Sequence, residues 1–200
     1  DWYPVHRYVN VSDGSKGITM ASLDAPLLNL GGITAGKWTG GGDLIPEGPH
    51  LYSWAINNHW MVNFKASQEG KIPFRFRFQT HSHDFDISSS FKFGLDSLSP
   101  PIILRDKKRK SEKVEDTYIS CDSEQINFTL KPSDDAKGII IRAQNLKSDE
   151  CNCEFSTAIP IKKIILTDIL ENSINEIENN SNNFKILFIG NEIKTLKIIL

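Results

Sequence analysis

Apolar residues recur at every second position in nearly every patterned segment of this chain, the period of a strand rather than a helix. Pro73-Phe-Arg-Phe-Arg-Phe-Gln79 shows it most clearly. Phe74, Phe76 and Phe78 are expected to face inward there, with Arg75 and Arg77 facing out. Strand character also marks His6–Val11, Ile18–Leu23, Thr117–Cys121, Ile126–Lys131, Gly138–Gln144, Glu154–Thr157, Lys163–Thr167, Phe184–Ile189 and Ile193–Leu200. Many short strands with Gly, Pro and Asn between them predict an all-β sandwich class. No convincing amphipathic helix is visible. Thr167–Asn180 offers room for a short one, since Ile169, Leu170 and Ile174 share a helical face.

Leu51-Tyr-Ser-Trp-Ala-Ile-Asn-Asn-His-Trp-Met-Val-Asn-Phe64 alternates on both sides of a polar break, which predicts two strands joined by a turn. Asn tolerates left-handed backbone and bonds locally, so Asn57-Asn58 suits that break. A plain hairpin does not require two tryptophans and three asparagines in so short a span. Sugars have apolar faces that lie on aromatic rings and hydroxyls that need neutral amides around them. Two readings therefore stand side by side. Trp54 and Trp60 belong to the core alternation while Asn57 and Asn58 only turn the chain, or Asn57, Asn58 and Trp60 face a sugar.

The hydrophobic share is 39%, enough to bury a core, so global disorder is excluded. Net charge is −2, which argues against a general nucleic-acid binder, whose affinity comes from basic surface on phosphate. No apolar run is long enough to cross a bilayer. The chain opens at Asp1 without an initiator Met or a signal-peptide pattern, and Trp2–Val5 has the look of a fold interior. It reads as a piece of a longer polypeptide, soluble, with a cytoplasmic setting preferred over the alternatives that the composition leaves open. Of the three cysteines, Cys121, Cys151 and Cys153, an odd number cannot be fully paired. Cys-Asn-Cys has too short a spacing for an ordinary zinc site, and in a strand Cys151 and Cys153 share a face as small hydrophobes.

A boundary falls at Arg105–Asp116, which holds six basic and four acidic residues after Pro100-Pro101 and reads as a solvated connector. The expected domains are residues 1–110 and 111–200. The first carries all four Trp, all five His and most of the Gly, with long loops, and looks like part of a larger sheet system. The second holds about seven short strands, which suits a small sandwich.

Candidate chemistry is sparse. Gly31-Gly-Ile-Thr-Ala-Gly-Lys37 approaches a P-loop, but Trp38 stands where a hydroxyl must hold magnesium and the glycines after it cannot open a helix. Seven of the thirteen glycines fall within residues 31–48, which marks a real loop rather than a nucleotide site. In His81-Ser-His-Asp-Phe-Asp86, a strand would bring His81 and His83 to one face like paired metal ligands; the alternative is the exposed end of the preceding strand. Asp24 is the one acid set between apolar residues at a strand end, and it has no partner carboxylate. There is no Gly-x-Ser-x-Gly elbow and no Cys with a plausible His partner.

Taken in order, these segments resemble the C-terminal β region of family 38 glycoside hydrolases, the α-mannosidases, in their bacterial-type branch. The pieces that carry the resemblance are Gly17-Ile-Thr-Met-Ala-Ser-Leu-Asp-Ala-Pro26, Leu51-Tyr-Ser-Trp through Asn57-Asn-His-Trp60, and Asn63-Phe64. Gly70 with the Phe/Arg strand, Gly138-Ile-Ile-Ile-Arg-Ala-Gln-Asn145, Thr167-Asp-Ile-Leu-Glu171 and Glu192-Ile-Lys-Thr-Leu196 follow. The resemblance implies part of a large β-sandwich (supersandwich-like) followed by a small terminal one. It also implies an N-terminal catalytic domain of the same polypeptide. That domain would house an Asp nucleophile and a divalent metal, usually zinc, acting on an α-mannoside or other glycan. No catalytic or metal residue is carried onto this segment, and no cofactor is expected on it. Asn57, Asn58 and Trp60 remain the substrate-binding candidates, at the rim of the parent's sugar pocket. An autonomous carbohydrate-binding module using Trp38, Trp54 and Trp60 is the alternative, and a small metal-dependent hydrolase built on His81 and His83 is a third reading.

Overall fold

The computed structural model describes residues 2–33, 46–58, 65–105 and 117–200, and these form two compact units, Asp1–Leu104 and Arg105–Leu200. The Arg105–Asp116 connector lies outside the described residues except for Arg105.

The first unit contains β1 (Tyr3–Pro4), β2 (Val9–Ser12), β3 (Gly17–Ser22), β4 (Leu27–Leu30), β5 (Leu51–Ser53) and β6 (Phe76–His81), then one helix, α1 (Ile87–Leu98). The strands make two antiparallel three-stranded sheets, ordered β1-β4-β5 and β2-β3-β6. Phe74 and Phe76 are half-buried and both arginines are exposed, as the alternation predicts, but Phe78 is 59% exposed. Among the described residues β6 pairs only with β3, so no described strand lies beyond it in its sheet.

Helix α1 corrects the sequence reading, which found no convincing helix there. Its apolar positions, Ile87, Phe91, Leu95 and Leu98, fall at helical spacing, but four serines and a glycine of modest helix propensity dilute the stripe. What fixes the start is Asp86, whose side chain accepts a hydrogen bond from the Ser89 amide at 3.0 Å. The helix packs on the face of β3 that carries Thr19 and Ala21. The Arg7 guanidinium lies 4.6 Å over the Phe91 ring, and Gly94 lets the backbone of Arg7 and Tyr8 approach closely.

The second unit is a sandwich of β7 (Ile119–Cys121), β8 (Ile126–Pro132), β9 (Ile139–Asn145), β10 (Cys151–Thr157), β11 (Lys163–Thr167), β12 (Ser173–Ile177), β13 (Asn183–Phe188) and β14 (Ile193–Ile199). That is eight strands where about seven were expected. A three-stranded sheet, β13-β10-β7, and a five-stranded one, β12-β11-β14-β9-β8, are antiparallel throughout. Alternate residues of both sheets, among them Ile141, Phe155, Ile164, Phe184, Phe188, Leu196 and Ile198, meet in one core. Cys151 and Cys153 share the buried face of β10, as the strand period predicts. The short helix that Thr167–Asn180 offered is absent. Asp168 Oδ1 accepts the amides of Leu170 and Asn172 at 2.9 Å each, and this local turn returns the chain as β12.

Candidate functional site

The proposed sugar-facing segment begins at β5. The alternation predicted a strand through Ile56, yet the strand ends at Ser53 and residues 54–58 have no regular structure. Trp54 explains the departure. Its indole N–H donates to Ile56 O at 2.9 Å, and its ring packs on Trp2 with centroids 4.4 Å apart at 49°. The backbone amide of Trp54 still reaches across to Leu27 O, so the segment leaves the sheet only after that bond. Asn57 and Asn58 follow, both exposed. Trp60, His59 and Asn63 lie outside the described residues, as do Trp38 and residues 34–45 of the glycine-rich loop.

The base of that loop is pinned. Gly31 has φ +79°, its amide donates to His50 O at 2.9 Å, and a Cβ there would stand 2.7 Å from Glu47 N and 2.9 Å from Pro46 Cα. Only glycine satisfies both the left-handed backbone and the close approach. Since Leu30 pairs with Leu51 and Leu28 with Ser53, the loop joins β4 to β5 at one end of the sheet and Asn57-Asn58 follows its other end. The structure thus places Asn57 and Asn58 next to each other but on the side of β5 opposite the loop.

Asp24 is a structural carboxylate. Its Oδ2 accepts the Arg75 backbone amide at 2.7 Å and Nε at 2.9 Å, while Oδ1 accepts Nη2 at 2.8 Å. The guanidinium hydrogen bonds hold this carboxyl below the usual carboxylate range. A carboxylate so saturated is a poor general acid, and among the described residues no second acid faces it.

The paired-ligand reading of His81 and His83 is overturned. His83 lies in a bend beyond β6, not in a strand. Asn10 Nδ2 stands 2.9 Å from His81 Nε2, and an amide nitrogen can only donate, so Nε2 accepts. His81 Nδ1 then carries the proton and donates to His83 O at 2.9 Å. Neither nitrogen of His81 is left for a cation, and among the described residues no three His, Cys, Asp or Glu side chains are grouped to hold one.

Sequence reasoning passed over one reactive group. The Cys121 and Cys153 thiols hydrogen-bond across β7 and β10, where Cys121 stands opposite Phe155. The bond pulls Cys121 down to about 7 and, together with burial, pushes Cys153 up. All three cysteines are free.

Residues 128–196 match the family model described as the glycosyl hydrolases family 38 C-terminal beta sandwich domain. No curated protein matches the chain at a significant level. Among solved structures, an α-mannosidase from Enterococcus faecalis V583 superposes with a TM-score of 0.67 at 15% identity, covering 98% of this chain and 21% of that one. A glycosyl hydrolase family 38 protein from Enterococcus faecalis gives a TM-score of 0.70 at 15% identity, with 98% and 22% covered. At that identity the likeness establishes the fold, and this chain spans about a fifth of the length of those structures. The resemblance to the C-terminal β region of family 38 glycoside hydrolases therefore stands on a sequence match in the second unit and a fold match over nearly the whole chain.

Proposed function

We propose that this chain is the non-catalytic C-terminal β segment of an α-mannosidase-like retaining glycoside hydrolase, packed with the N-terminal catalytic domain of the same polypeptide. The observation that carries this reading is the coverage: 98% of the chain is matched by about a fifth of a solved α-mannosidase. The chemistry agrees. Asp24 is spent on Arg75, and the neighbouring Asp134 and Glu171 carboxylates are both held by the Lys131 ammonium. In this reading the nucleophile, the acid and the divalent metal, zinc, belong to the catalytic domain, and the two-step retaining reaction through a glycosyl-enzyme intermediate is the parent's. Residues 1–110 complete a large β-sandwich and residues 111–200 form the terminal one. Asn57, Asn58 and Trp60 line the rim of the pocket that takes the α-mannoside. Three free thiols support a reducing, cytoplasmic setting, and no described helix is long and apolar enough to cross a membrane.

The autonomous carbohydrate module gains nothing from Trp54, whose ring lies on Trp2 and whose N–H is bound to Ile56 O. The test is turnover of a chromogenic α-mannoside. The 200-residue chain should show none, and the same chain joined to its upstream polypeptide should show it in full. Hydrolysis by the chain alone would end the proposal.

A further inference from the structure

Between the end of β6 and the first turn of α1 lies a cleft of about 520 Å³, which the scaffold role does not use. That volume falls within the range of small-molecule sites, about 300–1,000 Å³. Its floor is fixed from within. Asn10 Nδ2 donates to Thr19 Oγ1 at 2.8 Å as well as to His81 Nε2, and Thr19 Oγ1 shares a hydrogen bond with Ser90 Oγ at 3.1 Å. Thr19 is 1% exposed and Ser90 3%, so this network is sealed from bulk water. It locks His81 in one tautomer and ties β2 and β3 to α1.

The rim is the opposite. Gln79, Thr80, Ser82, Ser89 and Lys16 border the cleft, all of them exposed, and among the described residues no hydrogen bond or ion pair engages their side chains. His83 Nδ1 donates to Asp84 O at 2.6 Å, which leaves Nε2 of the neutral ring as an acceptor. The His81 and His83 rings stack with centroids 5.0 Å apart at 29° and give the cleft a flat wall. A satisfied floor thus lies under exposed amide, hydroxyl and imidazole groups whose partner is solvent, water that a polar ligand can replace.

The charges narrow the ligand. Lys16 and Asp86 are the one cation and one carboxylate among the lining residues, and they cancel. Asp86 occupies the helix N-cap, with its Oδ2 on the Ser89 amide, so the place where an anion would bind is already filled by a carboxylate. A single carboxylate beside a lysine does not hold a cation. No large aliphatic side chain lines the cleft to favour an apolar guest. What remains is a neutral ligand with several hydroxyls and a flat C–H face for the imidazole wall.

We propose that the cleft between β6 and α1 binds a single neutral sugar ring, held by Gln79, Ser82, His83 and Ser89. This site is separate in its evidence from the scaffold reading, because it rests on groups that the parent's chemistry does not require. The test is NMR of the histidine ring C–H signals of the 200-residue chain, titrated with D-mannose, D-glucose and, separately, inorganic phosphate. Saturable movement of the His81 and His83 signals with a sugar by roughly 100 mM, while His6 and His50 stay still, is the expected result. Gln79→Ala with Ser82→Ala, both exposed positions, should weaken that response at least about tenfold while the thermal midpoint is unchanged. Three results would overturn the proposal: still His81 and His83 signals with both sugars, an undiminished response in the double variant, or movement with phosphate alone.

Discussion

Replacing Phe155 by Ala should unfold the second unit at a temperature well below that of the wild-type chain, and the geometry sets the size of the effect. Phe155 is fully buried in β10, the middle strand of the three-stranded sheet. The Phe184 ring lies parallel to it at 5.1 Å, and the Phe128 ring meets it edge-on at 5.4 Å from the facing sheet. Truncation removes the buried ring and leaves a cavity between two sheets whose strands are fixed by continuous ladders, so the walls cannot collapse far. Phe→Ala at such sites costs about 3–5 kcal/mol. For a unit of roughly one hundred residues each kcal/mol moves the midpoint by about 4–8 °C, so even the low end exceeds ~10 °C. Phe155→Leu, which keeps most of the volume, should cost less than about 1.5 kcal/mol. The assay is a thermal melt followed in parallel by far-UV circular dichroism and tryptophan fluorescence. All four tryptophans, Trp2, Trp38, Trp54 and Trp60, precede the second unit and so report only the first. The dichroism transition should drop while the fluorescence transition stays. A loss below about 1 kcal/mol, or an equal shift in both signals, would refute the reasoning that Phe155 is the centre of a self-contained core.

Three further outcomes are expected. Alkylation by iodoacetamide should be selective for Cys121, rise as pH passes about 7 and be slowed by Cys153→Ser, because the Cys153 hydrogen bond is what favours its thiolate. Peptide mass mapping checks this, and equal labelling of Cys151 or Cys153 would contradict it. Stability of the second unit should fall on acidification. Asp134, Asp135 and Asp168 are depressed by Lys131, Lys197 and Asn172 respectively. Their contribution is complete above the unfolded carboxylate value of about 4 and is lost as pH falls below it toward the folded values. Urea midpoints between pH 7 and 3 measure it, and Asp135→Asn should flatten the slope. Finally, the isolated chain should self-associate in sedimentation velocity through the first unit, while residues 117–200 alone stay monomeric. A monodisperse, cooperatively melting 200-residue monomer would count against the first unit being part of a larger sheet system.

How much was legible in the sequence followed how many faces of a segment are constrained. Ile139–Asn145 and Cys151–Thr157 sit in the middle of their sheets, paired on both sides, and their alternation marked them. Phe78 misled because alternation assigns a side chain to a face but not the layer that covers it, and this ring is exposed. Helix α1 was hidden by its serines: Asp86 caps it through the Ser89 amide, and the Ser90 hydroxyl reaches Thr19, a role that needs a polar side chain on the face a pattern search expects to be apolar. The Asp168 turn is a related case, since Ile169 and Leu170 supply a helical pattern while the aspartate binds the amides that a helix would need. At Trp54 a single local bond to Ile56 O ended a strand that the alternation continued. His81 showed its residue type but not its role, because Asn10 is its partner only through the β2-β3-β6 pairing.

The two units differ in how far each satisfies itself, and that difference bears on the proposed role. Among the described residues the second unit buries fifteen hydrophobic side chains, whereas the first buries five: Met20, Ala21, Ala25, Leu28 and Phe91. Two of those five are alanines, which bring little apolar area. Buried apolar area contributes about 25 cal/mol per Å² removed from water, so the described residues of the first unit draw less from burial than those of the second. It compensates with polar and local devices, namely the Asn10–Thr19–Ser90 network, the Asp24–Arg75 pair, the Gly31 closure and the Trp2–Trp54 contact. Such devices hold geometry well and supply little net stability, since hydrogen bonds and exposed ion pairs mostly exchange one partner for another. A sheet pair built this way gains stability when further apolar surface is laid against it, and Phe78, 59% exposed, is one described side chain that such a surface would cover.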